Sequence, residues 1–223
     1  MNFVGHIATG LRAGDGNGDA AFLVGTALPD FAAMGRFRLH HAPADGALGR
    51  GIALHHATDH AFHADPWFLA LEASLRAALA RDGLPDGAAR ACAHVGPELL
   101  LDGSLLDDGA VTEAVGAVYE RIAAPPGDVV ALAPDGTRAR WRAHLEGVAT
   151  RLDPHSYRDA DVIARRLHAI TSRRPRLAFD ESLVGAVAEQ MAAVQAPVGA
   201  AAPAVLDRVT RQVGKPRRRR HRS

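Results

Sequence analysis

The chain of 223 residues has a single cysteine, Cys92. No intramolecular disulfide can form, so the fold needs no oxidising compartment, and a cytoplasmic location is expected. A lone cysteine inside the alanine-rich stretch ARACAHV reads as a small buried residue rather than a nucleophile. Aromatic residues are scarce at 5%, while alanine and leucine are plentiful. No apolar run approaches the ~18 residues that suggest a membrane span. The start, MNFVGHIATGLRAG, lacks the basic opening and long apolar core of a secretion signal. No segment alternates strictly between apolar and polar residues, which removes the usual sign of half-buried strands.

What is present is helical. Strings such as FLALEASLRAALA combine helix-forming composition with helical periodicity, and the expected fold is all-α, one helical domain over residues 1–195. The spacing predicts helices over Asn2–Leu11, Asp19–Met34, Gly49–Phe62, Pro66–Arg81, Asp135–Leu152, Asp159–Ile170 and Glu181–Val194. Pro29 is expected to kink or break the second of these. Gly96-Pro97 is expected to open a helix that carries Glu98 in its first turn. Residues 196–223 read as a loose segment, APVGAAAP, followed by a basic tail.

That tail, KPRRRRHRS, holds six basic residues, from Lys215 to Arg222. Without them the chain has 20 basic against 25 acidic residues, a body near −5 beneath an overall charge of +1. A tail of this kind can touch nucleic acid or an acidic protein, but it equally suits a disordered solubilising end. It does not mark the protein as nucleic-acid-binding.

The chemistry concentrates in GIALHHATDHAFHADPWF, residues 51–68. His55, Asp59 and His63 are spaced by four and share one helical stripe, whereas His56 and His60 face another way. An imidazole and a carboxylate on adjacent turns can grip one cation, and apolar Ile52, Leu54 and Phe62 around them make such a partner efficient. Other candidates are His6, Asp30 in TALPDF, and Glu98 with Asp102. Each has a plainer reading. His6 can be a hydrogen-bonded core histidine, Asp30 a cap after Pro29, Glu98 a charge favoured by a helix N-terminus, and Asp102 with Gly103 a helix end. The loop histidines His40 and His41, and His94 ahead of Gly96-Pro97, are candidates for substrate contact.

Taken in order, these motifs resemble the acyl carrier protein phosphodiesterase family. MNFVGHI stands for the family's MNFLAHL-like opening and VGTALPDF for its GN-L-L-A-D-F-type segment. Gly51, Ile52, His55 and Asp59 match GI-x-x-H-x-x-x-D. ELLLDGSL meets D-x-x-x-D-H-F-L with Glu98 and Asp102 as the acids, and Ser172 to Leu177 match S-R-R-P-R-L. The resemblance implies a fold related to the HD-domain phosphohydrolases and a divalent metal, manganese. It implies hydrolysis of the phosphodiester between 4′-phosphopantetheine and a serine of acyl carrier protein.

Carried over, His6, Asp30, His55, Asp59 and Asp102 would hold the metal, with Asp30 and Asp59 also catalytic. Glu98, Arg173, Arg174 and Arg176 would serve the substrate, an acidic carrier protein; the arginines also read as a cluster favoured at a helix C-terminus. Two positions depart from the pattern. Gly103 replaces a histidine and His63 an acid, with His63 or His94 as the compensating histidine. A related phosphohydrolase of nucleotides or small phosphoesters, or a non-catalytic helical binding protein, are the alternative readings.

Overall fold

One helix runs through the middle of this protein. In the computed structural model, which describes residues 1–13, 19–40, 42–43 and 45–214, α1 (Phe3–Arg12) is buried at every position from Phe3 to Gly10. A helix buried all round must be apolar or small on all faces, and FVGHIATG is, with His6 the exception. Around α1 pack α2 (Ala20–Gly35), α3 (Ala47–His63), α5 (Asp86–Leu105), α6 (Gly109–Ala123) and α10 (Val184–Val213). The outer helices α4 (Pro66–Arg81), α7 (Gly127–Ala131), α8 (Arg138–Arg151) and α9 (Ala160–Thr171) complete an all-α domain with one continuous core. No strand occurs among the described residues, and no helix there is long and apolar enough to cross a membrane. Residues 14–18, His41, Ala44 and the basic tail from Lys215 lie outside the described residues.

Where local signals act alone, sequence and structure coincide. α4 begins at Pro66, as the spacing predicts, with the Asp65 carboxylate accepting from the Trp67 backbone N–H at 2.9 Å and proline at the first helical position. Where tertiary packing competes, the structure differs. Pro29 lies inside α2 without ending it. Gly96 and Pro97 are buried in the middle of α5, which starts ten residues earlier than they suggest, at Asp86. Glu98 is therefore not in a first turn, and His94 is a helical residue one turn before it.

The segment after residue 195 is likewise helical rather than loose: α10 continues to Val213. Val198, Ala202, Val205, Leu206 and Val209 form a buried stripe at helical spacing. Pro197 and Pro203 fall on the exposed side, where the carbonyls they leave without partners reach water. Arg208 on this extension grips Asp65 through Nε and a terminal nitrogen, at 2.8 and 3.1 Å.

The crossing of α2 and α3 sets up the site. A Cβ on Gly51 would lie 2.1 Å from the Phe22 carbonyl oxygen, and one on Gly25 would lie 2.3 Å from that of Leu48. The two backbones touch, which only glycine permits. This brings Thr26 and Asp30 of α2 against His55 of α3.

Candidate metal centre

His6 from α1, Asp30 from α2 and His55 from α3 each place one ligand atom within 4.8 Å of the others. His6 is fully buried and His55 nearly so, and their rings lie 3.9 Å apart between centroids. Their tautomers follow from their neighbours. His55 Nδ1 sits 2.9 Å from the Thr26 carbonyl, which can only accept, so Nδ1 carries the proton. His6 Nδ1 sits 2.7 Å from Thr58 Oγ1. The single Thr58 hydroxyl proton is directed to the Leu54 or His55 carbonyl, at 3.0 and 2.9 Å, so Thr58 accepts from His6. Both imidazoles thus keep a lone pair on Nε2, the arrangement of histidines oriented by partners behind a metal site.

The charge state agrees. Burial, reinforced by His55, pushes the His6 pKa well below the usual histidine value. Burial takes His55 down to about 4. Both rings are neutral near pH 7. Burial also raises Asp30 well above the ordinary carboxylate range, against the nearby N-terminal ammonium and with help from Asp102 and Glu98. His6 Nε2 and Asp30 Oδ2 lie 3.9 Å apart, too far for a hydrogen bond, and both are buried atoms without a partner. Orphaned buried acceptors of this kind are rare and costly. The His6 Nε2 lone pair, a ring nitrogen of His55 and an Asp30 carboxylate oxygen, held by three different helices, are donors of the kind that a divalent cation takes.

Asp59 borders this group, 3.9 Å from His6 Nε2. Its side chain is 40% exposed and faces His63 Nδ1 at 3.3 Å and the Met1 ammonium at 3.5 Å. Burial works to raise its pKa, but the His63 hydrogen bond and the ammonium prevail and hold it below the usual range.

Asp102 has a different task from the ligand role the resemblance implies. It is fully buried, and its two carboxylate oxygens accept from the backbone N–H groups of Val4 and Gly5, at 3.1 and 2.9 Å. The residue at the N-cap, Asn2, makes no such bond. Asp102 therefore caps α1 from 97–98 positions away in sequence, satisfying two orphan donors at the positive end of the helix dipole.

A second group comprises His63, His94 and Glu98. His63 Nε2 meets Glu98 Oε1 at 2.9 Å, and His94 Nδ1 meets Glu72 at 2.9 Å. The two rings stack with centroids 4.8 Å apart. Hydrogen bonds to Asp59 and then Glu98 raise the His63 pKa to about 9, so the ring is an imidazolium near pH 7. An imidazolium has no lone pair, and this group is better described as an ion-pair network than as a second metal site.

Because His63 is raised in the folded state, its stabilisation is complete below the unfolded histidine value and is lost as pH rises through about 9. His63→Gln should lower the melting temperature near neutral pH, and the gap to the parent should shrink above pH 9. A gap of constant size in thermal melts across that range would show that charge is not its source.

The surroundings of Gly103 leave no room for the histidine that the resemblance leads one to expect there. A Cβ there would lie 2.6 Å from the Tyr157 carbonyl oxygen and 3.0 Å from the Arg158 nitrogen, in the 3₁₀ turn Pro154–Arg158. No histidine fits. Gly103→His should cost roughly 3 kcal/mol or more through overpacking; a variant that melts like the parent would mean the turn yields.

Arg173, Arg174 and Arg176 do not join the cluster. They are exposed, beyond the end of α9, and two of them line a separate cavity with Arg36 and Arg166. Sequence reasoning missed Thr26, Thr58 and Glu72, whose effects pass through a carbonyl, a hydroxyl and a distant pairing that no spacing reveals. No family model, no curated protein and no solved structure matches the chain.

Proposed function

We propose that the protein is a divalent-metal-dependent phosphodiesterase. Its substrate in this reading is the linkage between 4′-phosphopantetheine and a serine of acyl carrier protein, and its ion is manganese. One observation carries the metal: His6 Nε2 and Asp30 Oδ2 are sealed from solvent, unpartnered and aimed at the space that His55 also faces. The substrate rests on the resemblance of the ordered motifs and on the exposed arginines Arg173, Arg174 and Arg176, which suit an acidic carrier protein.

His6, Asp30 and His55 would hold the ion, with Asp59 at its open side. A divalent ion there supplies charge neutralisation at the phosphoryl oxygens and acidifies water. Asp59, ionised and reachable from solvent, orients the attacking water through a hydrogen bond. His63, held as an imidazolium between Asp59 and Glu98, would supply a proton to the departing serine oxygen. Neutral His6 and His55 stay fixed by Thr58 and Thr26 throughout, so the site needs no reorganisation as charge develops.

The test is direct. Purified protein with Mn²⁺ and holo acyl carrier protein should release free 4′-phosphopantetheine, seen by mass spectrometry as conversion to the apo form. Turnover of a simple phosphate bis-ester without that conversion would reassign the substrate. Failure of both, with no metal retained after purification without chelator, would overturn the enzyme reading.

A further inference from the structure

Two cavities share one lining residue, and the first of them borders the candidate metal centre. The first, about 470 Å³, opens between α2 and α3. Ala32, Ala33, Phe37, Leu39, Ile52 and Ala53 form most of its wall, and among the described residues no carboxylate, lysine or arginine lines it. Its size lies in the range of ligand pockets. It borders the cluster: Pro29 of its wall precedes Asp30, and His56 of its wall meets the His55 ring edge-on, 5.3 Å between centroids.

The second cavity, about 300 Å³, lies between the end of α2 and α9 and is lined by Arg36, Arg166, Arg173 and Arg174, with the Arg166 guanidinium over the Tyr157 ring, 5.2 Å from its centroid. Ala33 lines both cavities. The arginine ion pairs of the described residues involve Arg12, Arg76, Arg138, Arg158 and Arg208, and none of the four cavity arginines. Arg36 is moreover the one non-glycine residue described with positive φ, at 57°. It caps α2 where glycine is favoured, and a residue kept in a disfavoured conformation points to use of its side chain.

An apolar cavity exposed to solvent and a concentration of uncompensated positive charge, joined at Ala33, match the two halves of one kind of molecule. We propose that the paired cavities bind an amphiphile, with an n-alkyl chain between α2 and α3 and its anionic head among the arginines. The site is distinct from the metal cluster; it shares Arg173 and Arg174 with the surface read above as suiting a carrier protein, but binding there requires neither metal nor hydrolysis. The anionic head is a phosphate or a carboxylate, and the two differ in how many arginine nitrogens they can engage.

Calorimetric titration of metal-free full-length protein tests this with four probes: decyl phosphate, decanoate, butyl phosphate and decanol. Decyl phosphate should bind at least tenfold more tightly than butyl phosphate, since each fully buried methylene is worth about fourfold. It should also bind at least tenfold more tightly than decanol. The affinity of decanoate relative to decyl phosphate identifies the preferred head.

Two variants at exposed positions separate the halves. Ala53→Phe should weaken decyl phosphate at least tenfold and leave butyl phosphate unchanged. Arg36→Gly, which suits the backbone there, should weaken both phosphates and leave decanol unchanged. Equal affinity for decyl and butyl phosphate, or an Ala53→Phe variant that binds decyl phosphate as the parent does, would overturn the proposal. Because the readout is binding without metal, its failure is distinct from failure to hydrolyse.

Discussion

Asp30→Asn should abolish metal retention, lower phosphodiester turnover by at least about 10³-fold, and leave the metal-free protein more stable than its parent. The two halves of this expectation share one cause. Asp30 Oδ2 is buried without a hydrogen-bond partner, and burial drives the group towards its neutral form. In the absence of a cation an ionised carboxylate there opposes folding, and an isosteric neutral amide removes that cost, on the order of 1 kcal/mol. With a cation the same carboxylate is the only anion among the three converging ligands. Stability and function therefore pull in opposite directions at this residue, as expected of a binding site rather than of a structural carboxylate. Thermal melts with and without chelator, metal analysis and bis-ester hydrolysis decide the matter together. An asparagine variant that is less stable than the metal-free parent, or that hydrolyses at the parent rate, would show that Asp30 is not a ligand.

Asp102→Ala gives the opposite pattern. It should destabilise the protein by about 2–4 kcal/mol, because two buried backbone donors at the start of α1 lose their acceptors. For a chain of this size that is a fall in melting temperature of roughly 5–15 °C. Below the transition, Mn²⁺ should still bind, with affinity reduced far less than in Asp30→Asn. Burial raises the Asp102 pKa to about 7 despite the hydrogen bonds from Gly5 and Val4. A raised acid stabilises fully below the unfolded carboxylate value and ceases to as pH climbs through 7. The parent should lose stability over that interval, and the alanine variant should lose less. A variant that keeps its melting temperature and loses its metal would instead restore Asp102 to the ligand set that the resemblance implies.

The start of α4 and the course of α1 are legible in the chain because their signals are local: a cap, a proline at the first helical position, an unbroken apolar stretch. The pairing of His55 with Asp59 is legible for the same reason, since four residues is one helical turn. The prolines mislead. Pro29, Pro97, Pro197 and Pro203 all lie inside helices, because burial of the surrounding residues outweighs one missing hydrogen bond. Asp102 misleads differently. Its position in an acidic motif is visible, but its work is done on Val4 and Gly5, and nothing in the spacing of nearby residues reveals that contact. The same holds for the proton on His6, which is fixed by a threonine hydroxyl 52 residues away.

The glycine-on-glycine crossing of α2 and α3 has a consequence for how this protein can change over time. Contact between main chains has no side chain to resize, so the separation of Thr26, Asp30 and His55 is set by backbone van der Waals contact instead of by the fit of the surrounding leucines and valines. Substitutions elsewhere in the core will then erode stability gradually without moving these three residues. Gly25 and Gly51 are therefore the two positions at which even an alanine would force the helices apart and move Asp30 away from His55.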